Sequence, residues 1–136
     1  MSESAGKPRV AACSCGQLTA TLTGEPGRIS ICHCYACQRR TGSVFGAQAR
    51  FPRETVSIAG KSTEFVRVGD SGGVARFHFC PTCGATVYYT IDGADDVVAI
   101  PVGVLADRDF PRPAFSVYED RKHGWVEVPP GAERFP

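Results

Sequence analysis

The sequence predicts a mainly β, single-domain protein of short antiparallel strands that depends partly on bound metal. Three observations predict it. Apolar and polar residues alternate over several short runs, a period that puts one set on each face of a strand. Short Gly- and Asp-rich stretches separate these runs as hairpin turns. Seven cysteines fall into three tight clusters at metal-ligand spacing.

The elements follow in order. Residues 1–9 are polar with little pattern and read as a flexible N-terminus, leaving a zinc domain over residues 10–136. Leu18, Ala20 and Leu22 alternate with Thr19, Thr21 and Thr23, as in a half-buried strand. Tyr35 to Thr41 holds one short helical turn. Phe45, Ala47, Ala49 and Phe51 repeat the alternation and end before Pro52, and Val56 and Ile58 make a short strand stopped at Gly60. Phe65 to Val68 and Val74 to Phe79 flank Gly69-Asp70-Ser71-Gly72-Gly73 as a hairpin. Thr86 to Ile91 and Val97 to Val102 flank Asp92-Gly93-Ala94-Asp95-Asp96 as a second. Ala106 to Pro113 carries Pro111 and Pro113 and reads as a loop. Phe115 and Val117, then Trp125, Val126 and Val128, are expected as edge strands. No window carries an apolar stripe at helical spacing over several turns.

A chain of 136 residues with a 43% apolar share can bury a modest core of its own. The formal charge of +1 leaves no electrostatic footprint for nucleic acid or an anionic membrane. Seven thiolates subtract seven charges and two divalent ions add four, leaving −2, which moves further from a nucleic-acid binder. No apolar stretch approaches the roughly 20 residues that span a bilayer. The first residues lack the apolar core of a secretory signal, so a cytoplasmic location is expected. In that reducing setting, close cysteine pairs point to metal before disulfides, and seven thiols cannot all pair within one chain.

The clusters are Cys13-Ser14-Cys15-Gly16, Cys32-His33-Cys34-Tyr35-Ala36-Cys37 and Cys80-Pro81-Thr82-Cys83-Gly84. A Cys-x-x-Cys turn supplies two zinc ligands, and the glycines after Cys83 and Cys15 suit a tight backbone. Cys80 and Cys83 need a second pair, and Cys13 with Cys15 completes a closed four-thiolate site that contributes folding energy directly. Cys32, Cys34 and Cys37 then remain as three ligands with an open fourth position, the arrangement of a catalytic zinc. Two alternatives stand beside this. His33 closes the second site, or the three thiols are spare buried core residues. In an extended strand His33 points to the face opposite its cysteine neighbours, which favours the open site. His78 reads as a strand-face residue and His123 as a solvated one. Arg39 and Arg40, beside the triple cluster, are candidates for holding a carboxylate of a bound molecule.

Read together, Cys13-x-Cys15-Gly16, Cys32-His33-Cys34-x-x-Cys37-Gln38-Arg39 with Thr41-Gly42-Ser43, and Phe79-Cys80-x-x-Cys83-Gly84 resemble the glutathione-dependent formaldehyde-activating and centromere-protein-V-like family. The likeness includes Gly24-Glu25-Pro26, Val102-Gly103-Val104-Leu105 and Trp125. The resemblance implies a β-tent-like fold with a structural zinc on Cys13, Cys15, Cys80 and Cys83 and a catalytic zinc on Cys32, Cys34 and Cys37. It implies a carbon–sulfur lyase that joins glutathione, or a similar small thiol, to an aldehyde such as formaldehyde, or runs the reverse. The competing expectation is a non-catalytic zinc module that binds a protein partner. Exposed strand edges also make a homodimer an expectation.

Overall fold

The computed structural model describes residues 7–136. The first half of the chain forms β1 (Arg9–Ala12), β2 (Thr19–Leu22), β3 (Arg28–Cys32), α1 (Tyr35–Thr41), β4 (Gly46–Pro52) and β5 (Val56–Ala59). The second half forms β6 (Thr63–Val68), β7 (Val74–Phe79), β8 (Thr86–Ile91), β9 (Val97–Pro101), β10 (Phe115–Val117) and β11 (Glu133–Arg134). Alternation decides the strand faces. In β2, Ala20 and Leu22 are buried while the threonines between them are half-buried. In β7, Ala75 and Phe77 are buried while Val74, Arg76 and His78 stand on the other face.

The strands make two sheets. β1, β2 and β5 form a small antiparallel sheet with β2 in the middle. The other eight run in the order β11-β10-β3-β4-β9-β8-β7-β6. Ala11, Leu18, Ala20 and Leu22 from the small sheet and its flank cluster with Ala49, Phe51, Val87, Val98 and Ile100 of the large one. Cys13 and Cys80 belong to this same core. Removing that apolar surface from water is the main stabilising term, at roughly 25 cal/mol per Å².

Both expected hairpins form. Gly69 N donates to Gly73 O at 2.8 Å across the β6–β7 turn, and β8 and β9 flank residues 92–96. The short helix also forms over Tyr35–Thr41, closed by Gly42 in the left-handed region at φ 71°. Two expectations need correction, and one strand was not foreseen. β1 begins at Arg9, inside the stretch read as a flexible N-terminus, and residues 1–6 of that stretch lie outside the described residues. β3 carried no alternation to announce it, because Ile29 through Cys32 are buried on both faces. The edge strand expected at Trp125, Val126 and Val128 is absent: Val126 N turns back to His123 O at 3.1 Å, and the next strand, β11, begins only at Glu133. Gly124 and the Pro129-Pro130 pair keep that segment from laddering. The pairing is antiparallel as expected except at β10, which runs parallel to both β3 and β11. It arrives after the long loop over residues 106–114, whose last amide bonds Ile29 O at 2.9 Å.

Among the described residues, no helix is long and apolar enough to cross a membrane.

Candidate metal centres

Two loops of matching design build the first centre. Cys13 N bonds Leu18 O and Cys80 N bonds Ala85 O, each at 3.0 Å, so each loop closes over the same five-residue step. Gly16 and Gly84 sit inside these loops at φ 83° and φ 82°, a conformation that glycine reaches without strain. The β7–β8 register shifts between His78 and Phe79, and this irregularity turns the chain out of β7 into the second loop. Cys13, Cys15, Cys80 and Cys83 thereby meet with their Sγ atoms within 4.8 Å of one another.

Sulfur spacing tests whether these residues fit a metal. Four sulfurs about 2.3 Å from a tetrahedral centre lie about 3.8 Å apart. Cys15 Sγ lies 3.6 Å from both Cys13 Sγ and Cys80 Sγ, and all seven cysteines are free thiols. Donors already point at the sulfurs. Gln17 Nε2 donates to Cys80 Sγ at 3.0 Å, Leu18 N to Cys13 Sγ at 3.3 Å and Thr82 N to Cys80 Sγ at 3.3 Å. Burial pushes the Cys80 thiol up, but the Gln17 amide and the Cys83 and Thr82 amides outweigh it and hold that thiol down to about 5. The set suits a closed zinc site. Gln17 further ties the loop to the β5–β6 turn, donating to Lys61 O at 2.7 Å and accepting from Lys61 N at 2.9 Å.

The second centre sits where β3 runs into α1. Cys32 ends β3, Cys34 caps α1 by accepting from Cys37 N at 3.3 Å, and Cys37 lies in the first turn. Their three Sγ atoms also lie within 4.8 Å of one another, and all three residues are buried. They form a cluster of their own with Ala36, Val117 and Tyr118, apart from the main core. The Cys32 thiol holds Cys37 well below an ordinary thiol, against the effect of burial, with Cys34 and the charges of Arg40 and Arg67 adding to it. Cys32 shifts the opposite way, because its hydrogen bond to Cys37 and its burial favour the protonated form. Three clustered thiols of this kind are ligand chemistry suited to zinc.

A glycine packs closely against this junction. Gly46 pairs with Cys32 across β3–β4, and a Cβ there would lie 3.4 Å from Cys37 Cβ and 3.1 Å from Arg40 Nη2. Gln38 then pins α1 to the C-terminal segment. Its Nε2 donates to His33 O at 2.8 Å and Arg121 O at 3.3 Å, while its Oε1 lies 3.0 Å from His123 Nε2. On the β10 side, His33 N bonds Val117 O at 3.1 Å.

The sequence matches the family described as "Glutathione-dependent formaldehyde-activating enzyme" over residues 8–121. The chain belongs to this family. A crystal structure of a Rhodobacter sphaeroides protein shares the fold of this family member, with a TM-score of 0.55 and 17% identity. The likeness covers 93% of this chain and 99% of that one.

Several residues of this glutathione-dependent formaldehyde-activating family member stand where the spacing argument put them, and others do not. The seven cysteines divide four and three. His33 stays outside the three-thiol group: it is fully buried, with Nε2 2.9 Å from Ser116 Oγ, and burial lowers its pKa below the ordinary imidazole value. His78 stacks on Tyr88 with ring centroids 4.5 Å apart and bonds Ser62 and Glu64. His123 bonds Gln38 instead of being merely solvated. Arg39 joins Cys32 and Cys34 in lining a cavity of about 350 Å³. Arg40 is absent from that lining and lies over the Phe77 ring, 5.2 Å from its centroid. The same cavity wall includes Arg67, Asp70, Tyr118 and Arg121, none of which sequence spacing singled out. Asp70 and Arg121 pair at 3.3 Å. Tyr118 holds φ 56°, a left-handed conformation that costs a non-glycine residue roughly 1–3 kcal/mol and here sits beside the thiols.

Proposed function

We propose that this protein is a zinc-dependent carbon–sulfur lyase that joins a small thiol such as glutathione to an aldehyde such as formaldehyde, or cleaves the adduct. The observation that carries the reading is the contrast between the two cysteine groups. Cys13 and Cys80 belong to the main core with Cys83 packed against it, whereas Cys32 and Cys34 of the three-thiol group line a cavity large enough for a small molecule. Cys13, Cys15, Cys80 and Cys83 would hold a structural zinc, and Cys32, Cys34 and Cys37 a catalytic one. A zinc ion bound by the three thiolates supplies Lewis acidity that keeps an added thiol deprotonated.

The surrounding residues do the positioning. Arg39 is exposed and lines the cavity, where its guanidinium suits a substrate carboxylate. Arg121 and Asp70, already paired at the cavity wall, offer one charge of each sign to an amino-acid terminus. Arg40 and Arg67 act on the site by charge, since both favour the Cys37 thiolate. In the synthetic direction the thiolate sulfur adds to the aldehyde carbon. The carbon–sulfur bond forms, the carbonyl pair becomes an alkoxide, and the alkoxide takes up a proton; holding both reactants in one cavity supplies the orientation. We assign this activity to residues 10–136 and to a reducing, cytoplasmic setting, which keeps seven thiols available as ligands.

The test is exchange NMR on glutathione, formaldehyde and their adduct, comparing the zinc-loaded protein with its Cys34→Ser variant against the spontaneous rate. The native protein should accelerate exchange and the variant should not. Equal rates in all three samples would refute the lyase reading and leave a zinc module without catalysis.

A further inference from the structure

Beside the thiol cavity lies a second and larger one that formaldehyde does not need. It measures about 550 Å³ and shares Ala36, Arg39 and Arg67 with its neighbour. Its floor is aromatic. Phe65 pairs with Phe77 and Thr63 with Phe79 across β6–β7, so the three phenylalanines stand on one face of the ribbon. Arg40 and Arg67 cover Phe77, at 5.2 and 4.9 Å from its centroid. Phe65 is 59% exposed, an aromatic ring facing the opening on the outermost strand of the large sheet.

Arg39, Arg40 and Arg67 on the wall of this cavity suit a carboxylate, but its aromatic side matches neither proposed reactant. Formaldehyde has one carbon and leaves nothing to bury. Glutathione is a charged tripeptide with no large apolar side chain, and the thiol cavity of about 350 Å³ already falls within the roughly 300–1,000 Å³ range of small-molecule pockets. Phe77 is buried under Arg40 and Arg67, whereas the exposed ring of Phe65 and the half-buried Phe79 gain free energy by covering apolar surface. Apolar surface reaching from the thiol site can come from the carbon chain or ring of a larger aldehyde.

We infer that the preferred electrophile is an apolar aldehyde, aromatic or of medium chain length, whose body lies on Phe65, Phe77 and Phe79 while its carbonyl reaches the three-thiol site. This rests on the lyase reading and names the substrate class that it leaves open. The reaction balances as a simple addition. The thiol S–H adds across C=O, the carbon–sulfur bond forms, the oxygen receives the thiol proton, and no oxidant or leaving group is involved. Phe65 is then a specificity-determining residue, and formaldehyde is handled without it.

The experiment measures hemithioacetal exchange of glutathione with formaldehyde and with phenylacetaldehyde, for the native protein and Phe65→Thr. Threonine keeps strand propensity at an exposed position, and circular dichroism with zinc content checks that the variant is folded. A parallel arm follows binding without chemistry, by fluorine NMR of 4-fluorobenzyl alcohol, which cannot form the adduct. The expected result is that Phe65→Thr lowers kcat/KM for phenylacetaldehyde about tenfold, leaves formaldehyde within about twofold, and abolishes broadening of the fluorine line. Acceleration with formaldehyde but none with phenylacetaldehyde overturns this inference and leaves the lyase reading standing. Acceleration with phenylacetaldehyde alone, sensitive to Phe65, supports the inference and removes formaldehyde as a substrate. Equal losses for both aldehydes, or acceleration of neither, overturn it.

Discussion

Gly60 offers a test of how the small sheet holds the first metal centre. It sits at φ 99° in the β5–β6 turn, and a Cβ there would lie 1.9 Å from Gln17 O, 2.8 Å from Gln17 C and 2.9 Å from Leu18 Cα. All three are backbone atoms, so no side-chain rotation relieves the contact. Gln17 is the residue that bonds Cys80 Sγ and both backbone polar groups of Lys61. Gly60→Ala must therefore push the turn away from the first cysteine loop. Gly72 serves as the control, because it has a similar φ of 90° but nothing within 4 Å of its added Cβ. Gly72→Ala should cost only the conformational term, roughly 1–2 kcal/mol. Gly60→Ala should cost that plus the displaced contact and weakened Gln17 bonds, roughly 3–4 kcal/mol together. For a domain of this size, the difference corresponds to about 5–10 °C in Tm. Thermal unfolding of the zinc-loaded proteins by calorimetry reads it directly. The reasoning is refuted if both variants unfold at the same temperature.

Three further outcomes follow from the same geometry. Cys80→Ser should unfold the protein or lower Tm by more than 10 °C, roughly the loss of several kcal/mol of metal-linked folding energy, whereas Cys34→Ser should keep the fold and lose one zinc by mass spectrometry under native conditions. Gly46→Val should press on Cys37 and Arg40 and so weaken zinc retention at the second centre alone, measured as faster loss of one equivalent to a chelator. Arg39→Gln should raise KM for glutathione about threefold to tenfold with kcat nearly unchanged, since an exposed cation at the cavity contributes binding and no chemistry.

Much of this molecule was legible in the sequence because two signals are local. Alternation over β2 and β4 and the Gly- and Asp-rich turns that mark the β6–β7 and β8–β9 hairpins depend only on neighbours, and so does the Cys-x-x-Cys-Gly loop. The partition of cysteines was also legible, because ligand count and spacing constrain it. What escaped depends on distant pairing. β3 is buried on both faces between β4 and β10, which erases its alternation. Arg67 and Asp70 reach the thiol cavity only because the β6–β7 hairpin folds back over α1, and Tyr118 and Arg121 only because β10 lies parallel to β3. Adjacent residues on a helix point in different directions, so Arg39 lines both cavities while Arg40 lines only the larger of the two, over the Phe77 ring. The resemblance named the family and its two cysteine sets, but not these cavity walls.

The central claim is that the two cysteine groups differ in kind, one closed and one open to an added thiol. Cadmium-113 NMR of the cadmium-substituted protein measures that at each site separately. The account predicts two resonances, of which only one disappears in Cys34→Ser, and that same resonance alone shifts when one equivalent of glutathione is added. Two resonances that both ignore glutathione, or that vanish together in Cys34→Ser, would contradict it.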